Sequence, residues 1–185
     1  MKILAISGSL RARSTNNAVL RSALDLADVP SSIADIAGLP HFNPDLDCED
    51  ATAPAPVAAL RRAVTDADAV LIVSPEYAHG VPGVLKNALD WLVSSGELVG
   101  KPTAVITASP FPTGGDHANA QLRETLRMLM ADLVPDAHRE LPAIGPKTDP
   151  ALGVVTDPVT LDDLRTAVTA LLTTARTTAS EPTAT

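Results

Sequence analysis

A chain of 185 residues is the length of one domain, and 45% hydrophobic residues can build a real core, but with aromatics at 2% that core must be mostly Ala, Val, Leu and Ile. The net charge of −8 argues against nonspecific nucleic-acid binding and requires any anionic ligand to be held by local donors against the overall field. A single cysteine, Cys48, excludes an intrachain disulfide framework, a CxxC redox pair and a cysteine zinc cluster, and reads as a bystander in a polar loop.

The apolar run behind Met1-Lys2, Ile3 to Ser7, is too short for a signal peptide or a membrane span and reads as a first strand; a cytoplasmic location follows as an expectation. Ser9 to Asn16 is a polar loop, and Asn17 to Ala27 carries Val19, Leu20, Ala23, Leu24 and Ala27 on one helical face. Ser32 to Ile36 is a weak second strand, followed by a long polar loop over 38–54 and a helix from about Pro56 to Asp66. Val70 to Ser74 is the third strand. The next helix starts near Pro82 or Gly83, because proline is tolerated in a helix's first turn. Pro102 to Ala108 is the fourth strand, a helix spans about Asp116 to Leu133, and a fifth strand lies near Ala137 to Leu141. The last helix starts at Thr160, with acids in its first turn. Residues 1–173 read as one domain. Thr/Ala-rich residues 174–185 lack an apolar stripe and read as a mobile tail.

Short apolar runs alternating with helical patterns argue for βαβ units and a parallel sheet. Five strands in strict alternation fit an α/β, flavodoxin-like three-layer sandwich with a five-stranded parallel sheet of order 2-1-3-4-5. Ligands of such sheets bind at the β1/β3 switch point, beyond the carboxyl ends of the strands. The loops there, Ser7 to Asn16 and Ser74 to Gly83, are the two most chemically loaded segments of the chain.

In the first loop a phosphate would meet free N–H groups and the positive end of a helix dipole. Ser9, Ser14 and Thr15 offer hydroxyls, Asn16 an amide, and Arg11 and Arg13 charge; the plainer reading is a helix cap with solubilising arginines. The loop is neither a Walker A nor a Gly-x-Gly-x-x-Gly fingerprint and suits one terminal phosphate better than a pyrophosphate. In the second loop Pro75, Tyr77 and the backbone of Glu76 to Gly80 could form an apolar slot with backbone donors. Trp91 fits core or a dimer interface better than a ligand stack, Lys86 and Asp90 fit a surface ion pair, and Asn87 fits a tie to a neighbouring loop. The histidines stand at no ligand spacing, so no metal is expected.

Gly8-Ser9-Leu10-Arg11, Ser14 and Asn16 resemble the GSLR-x2-S-x-N loop of the NAD(P)H-dependent FMN reductase family, which includes quinone and chromate reductases. Pro75-Glu76-Tyr77 through Lys86-Asn87-Ala88 and Asp90-Trp91 resemble that family's PEYN-x3-PG-x-LKNA-x-DW segment. The resemblance covers most of residues 1–130 and implies non-covalent FMN. Its phosphate would lie on Ser9, Arg11, Ser14, Thr15 and Asn16, and its ring along Pro75, Glu76, Tyr77, Ala78, His79 and Gly80, with Ser109, Gly114 and Gly115 close by. Ala78 departs from the family's usual Asn. The implied activity is ping-pong hydride transfer from NAD(P)H through flavin N5 to a small-molecule acceptor such as a flavin or quinone, with no catalytic side chain required. Homodimers, in some members homotetramers, are also implied. The other reading is a flavodoxin-type electron carrier without NAD(P)H turnover; a third is a nucleotide-binding regulator without catalysis.

Overall fold

The structure is a computed structural model that describes residues 1–48 and 52–180. Part of the loop over 38–54 and the last five residues of the proposed tail therefore lie outside the described residues. The elements are β1 (Ile3–Ser7), α1 (Thr15–Ala27), β2 (Ser31–Ile33), α2 (Ala55–Thr65), β3 (Ala69–Ser74), α3 (Gly83–Asp90), β4 (Pro102–Ala108), α4 (Asp116–Met128), β5 (Asp132–Leu133), β6 (Arg139–Leu141), β7 (Thr148–Asp149), β8 (Val154–Val155) and α5 (Pro158–Ser180). The main sheet is parallel, in the order β2-β1-β3-β4-β5, with β6 also paired to β4. This is the expected flavodoxin-like sandwich.

The strands are continuous apolar runs because both faces are covered and successive side chains point to opposite sides. Ile3 and Ala5 of β1, with Leu71 and Val73 of β3, pack under α1 and α5. Leu4, Ile6, Val70 and Ile72 pack under α2, α3 and α4. Aliphatic side chains fill nearly all of both layers, as the scarcity of aromatics requires; Trp91 is the one large aromatic with no exposed surface.

Three differences from the sequence reading have local causes. The strand expected near Ala137 to Leu141 is β6, paired with Ile106 to Ala108, but the fourth helix stops at Met128 and not near Leu133: Asp132–Leu133 form a further strand, β5, that pairs with Pro102 and Thr103, with a 3-10 turn over Pro135–Ala137 between the two strands. The His138 side chain fills the gap, Nδ1 accepting the Val105 N–H at 3.1 Å. A short hairpin, β7 with β8, precedes α5; its strands are two residues each, too short to carry a periodic signal. The last helix does not end at 173 but runs to Ser180, with Ala175 buried. The hydroxyls of Thr173, Thr174, Thr177, Thr178 and Ser180 donate to carbonyls four residues back, so polar residues of low helix propensity bond to the helix itself. No described helix is long and apolar enough to cross a membrane.

Candidate functional site

β1 and β3 are paired in register, Ser7 opposite Val73, so the loops behind Ser7 and Ser74 leave the same edge of the sheet. They also touch. The Gly8 N–H donates to the Val73 carbonyl at 2.8 Å. A Cβ on Gly8 would lie 2.5 Å from Ser74 Oγ, closer than atoms can pack, so only glycine fits. The two loaded segments thus meet at the predicted switch point.

The first loop is tied down by its own polar groups. Ser7 Oγ donates to Asn17 Oδ1 at 2.5 Å, and the Arg11 N–H reaches buried Ser9 Oγ at 3.4 Å. Ser14 is the N-cap of α1, its side chain accepting the Asn16 N–H at 3.2 Å. Capping therefore uses Ser14 without exhausting the site. Among the described residues, the N–H groups of Arg13, Ser14, Thr15 and Asn17 have no partner in the chain. Buried Asn16 spans to the end of β4, Nδ2 donating to the Ala108 carbonyl at 3.1 Å, while its buried Oδ1 has no partner. Arg11 and Arg13 are exposed, and neither is in an ion pair among the described residues. Free amides at a helix N-terminus, a guanidinium and two hydroxyls are the chemistry of a phosphate cradle. An unpaired buried acceptor beside them suits the hydroxyls of a sugar-like chain.

The second loop folds into a two-residue hairpin. Tyr77 and Gly80 exchange N–H···O bonds of 3.1 and 3.0 Å, and the central residues Ala78 and His79 have φ of 50° and 56°. Both positive φ values match a type I′ turn, which favours Asn or Gly at its centre. The turn gives a backbone reason for asparagine at position 78 in the family pattern: Ala78 stands where L-residues with a Cβ are strained. The turn is tethered to α4 at three points. Glu76 Oε2 accepts the Ala118 N–H at 2.9 Å, Gln121 Oε1 accepts the Val81 N–H at 2.8 Å, and the His79 and His117 rings stand edge-to-face with centroids 4.8 Å apart. The Glu76 side chain thus caps α4 through Oε2, beside the turn in which Tyr77 and Gly80 pair. A Cβ on Gly80 would lie 2.9 Å from Gln121 Oε1, so a side chain there would push the Gln121 tether aside.

The third loop follows β4 on the same edge. Buried Ser109 accepts the Phe111 N–H at 3.2 Å through Oγ and donates its own N–H to the Leu141 carbonyl. Gly114 and Gly115 both have positive φ, and both are required by the chain itself. A Cβ on Gly114 would meet the Glu140–Leu141 backbone at 2.8 and 2.9 Å, and one on Gly115 would lie 3.2 Å from Thr107. Leu10, Tyr77 and Phe111, one from each loop, are each more than half exposed.

The LKNA-x-DW half of the second motif is structural. Asn87 accepts the Phe42 N–H at 2.8 Å and donates to the Pro40 carbonyl at 3.0 Å, a carbonyl that Trp91 Nε1 also reaches at 2.9 Å. Trp91 packs edge-to-face on Phe42. Lys86 pairs with Asp90 at 2.6 Å. Sequence reasoning missed the tethering role of Gln121 and the His138 plug. Gln121 lies on α4, 40 residues from Val81, so no local window links the two. It also missed Asn119, whose Nδ2 bonds Thr107 Oγ1 and the Arg139 carbonyl beneath the site.

The model of the NADPH-dependent FMN reductase family matches residues 1–142. A quinone reductase of Escherichia coli K12 is 36% identical over 175 residues, covering 92% of this chain and 93% of that protein. An NAD(P)H-dependent FMN reductase of Pseudomonas aeruginosa is 41% identical over 133 residues, 70% and 71% of the two chains. Among solved structures, the flavoenzyme NAD(P)H:(acceptor) oxidoreductase FerB of Paracoccus denitrificans superposes with a TM-score of 0.85 at 30% identity, covering 95% of this chain and 97% of that one. With its two diagnostic loops touching at the switch point of a flavodoxin-like sheet, the chain belongs to the NADPH-dependent FMN reductase family.

Proposed function

We infer that this protein uses bound FMN to oxidise NAD(P)H and reduce a small acceptor, with quinones the favoured class. The observation that supports this reading is the contact of Gly8 with Ser74, which brings the donor-rich first loop beside the tethered turn of the second at one sheet edge. The FMN phosphate would be held by the free amides at the start of α1, with Ser9, Ser14, Thr15 and Arg11; Asn16 Oδ1 would accept from the ribityl chain. The pyrimidine edge of the ring would meet the backbone of Glu76 to Gly80, which the tethers to α4 hold in place before any ligand arrives. Leu10, Tyr77 and Phe111 supply apolar surface around the open face. When bound, the flavin supplies the two-electron chemistry between nicotinamide and acceptor. The chain's own part is position and shelter, and the homologous quinone reductase supports the choice of acceptor.

The test is purification followed by an anaerobic titration. A yellow protein holding FMN near one to one, bleached by NADPH and recoloured by menadione, is the expected result. Arg11→Ala with Ser9→Ala should weaken FMN retention at least tenfold while the fold persists. A chain that stays colourless in excess FMN removes the reading; a flavin that binds but is not reduced by NAD(P)H returns it to an electron carrier.

A further inference from the structure

Two histidines far apart in sequence meet where the second loop rests on α4. His79 sits at the centre of the Tyr77–Gly80 turn and His117 in the first turn of α4, and their ring centroids stand 4.8 Å apart with the planes at 65°. Both residues are exposed. Among the described residues neither ring makes a hydrogen bond; the imidazole that does is His138. Their backbones are fixed. Tyr77 and Gly80 exchange two hydrogen bonds around His79, Gln121 Oε1 holds the Val81 N–H at 2.8 Å, and Glu76 Oε2 holds the Ala118 N–H, next to His117, at 2.9 Å. Two elements already tied together thus present the rings side by side to solvent. The charge around them is negative. Glu76 and Asp116 both lie at the start of α4, and neither is in an ion pair among the described residues. Asp116 Oδ1 is buried without a hydrogen-bond partner. The positive end of the α4 dipole disfavours a cation here; these two carboxylates, in a chain of net charge −8, offset it.

An imidazole with a free nitrogen is a ligand for borderline divalent cations such as zinc, copper and nickel. Two imidazoles sharing one such ion, at metal–nitrogen distances of about 2.0–2.1 Å and angles between square and tetrahedral, place their centroids about 4.5–5.2 Å apart. The 4.8 Å separation of His79 and His117 falls inside that window. No group of three or more His, Cys, Asp or Glu side chains among the described residues could hold a metal, so an ion here keeps water at its other positions and exchanges readily. We propose that His79 and His117 together bind one divalent cation of the zinc class, and that this ion pins the turn of the second loop to α4. The bound ion adds a metal bridge to the hydrogen bonds from Glu76 and Gln121, so the stability of the turn follows the cation. The site stands on the fold alone and does not depend on the function inferred above.

The probe is zinc chloride, titrated calorimetrically into the full chain, free of any histidine tag, with magnesium chloride as the control. The wild type should bind one zinc ion per chain and no magnesium, which takes oxygen ligands, and zinc should raise its Tm. His117→Gln and His79→Asn each leave a single imidazole and should weaken zinc binding about tenfold or more. Asparagine suits the positive φ at position 79, so that variant keeps the turn. His41→Gln, which removes an exposed histidine elsewhere, should bind as the wild type does. With copper(II) as the probe, electron paramagnetic resonance should show two coupled imidazole nitrogens in the wild type and one in either variant. Wild-type zinc affinity in His117→Gln or His79→Asn overturns the proposal, and either variant decides the matter if the other does not fold. Absence of zinc binding by the wild type overturns it too. So does half an ion per chain with a zinc-dependent dimer, which would put the ion between histidines of two copies. None of these readouts needs flavin, so failure of the metal site leaves the FMN reading standing, and a chain that takes up no FMN leaves the metal site standing.

Discussion

His138 should make the stability of this protein fall with acid well before its carboxylates titrate. The imidazole closes the gap between β5 and β6, with Nδ1 accepting the Val105 N–H midway along β4. Its pKa is lowered from 6.5 to about 4, first by burial and then by the positive charges of Arg123, Arg127 and Arg139, against a smaller upward pull from the Val105 hydrogen bond. Between pH 4 and 6.5 the unfolded chain therefore binds more protons than the folded one. The stabilisation is complete above 6.5 and is lost as the pH falls towards 4. The whole shift would correspond to about 3 kcal/mol, but the ring is only partly buried and solvent screens the arginines, so about 1 kcal/mol is expected. His138→Gln offers an oxygen to the same N–H without titrating. Urea unfolding of both proteins at half-unit steps from pH 7.5 to 4.5 measures the effect. Wild type should lose about 1 kcal/mol more than the variant over that range. Parallel curves for the two proteins would refute the assignment.

Two further substitutions test the loops. Ala78→Asn should stabilise the hairpin by roughly 0.5–1 kcal/mol, because asparagine tolerates the positive φ that alanine resists, raising Tm by about 2 °C; a lower Tm would mean the strain is absent. Asn87→Ala should cost about 1–3 kcal/mol, because it leaves the buried side of the Phe42 N–H without its acceptor and removes a donor from Pro40, while FMN retention changes little; an FMN loss larger than the stability loss would move Asn87 from the scaffold into the site.

Much of this protein is legible from local pattern. The apolar runs 3–7, 69–74 and 102–108 are too uniform to be anything but strands buried on both faces, and their alternation with helices leaves few topologies. The same pattern places Ser7 and Ser74 at the ends of neighbouring strands, so the meeting of the two loops behind them is legible in it. The sequence also marked Ser14 as a cap and Asn87 and Trp91 as packing residues.

What the sequence could not decide is which partner each polar side chain takes when several lie within reach. The Glu76 carboxylate takes the Ala118 N–H at the start of α4, because folding brings that donor next to it. Gly114 and Gly115 are held as glycines by β6, Thr107 and Glu76, contacts that only the folded chain brings together. Between β5 and β6 the Val105 N–H is taken by the His138 side chain, a bond between residues 33 apart that no window of sequence contains. The seating of the β7–β8 hairpin on α1 arises the same way, with the Val155 N–H on Ser22 Oγ across 133 residues of sequence. Backbone periodicity is a local property and survives in the sequence; pairing of polar groups is decided by distance in three dimensions and exists only once the chain has folded.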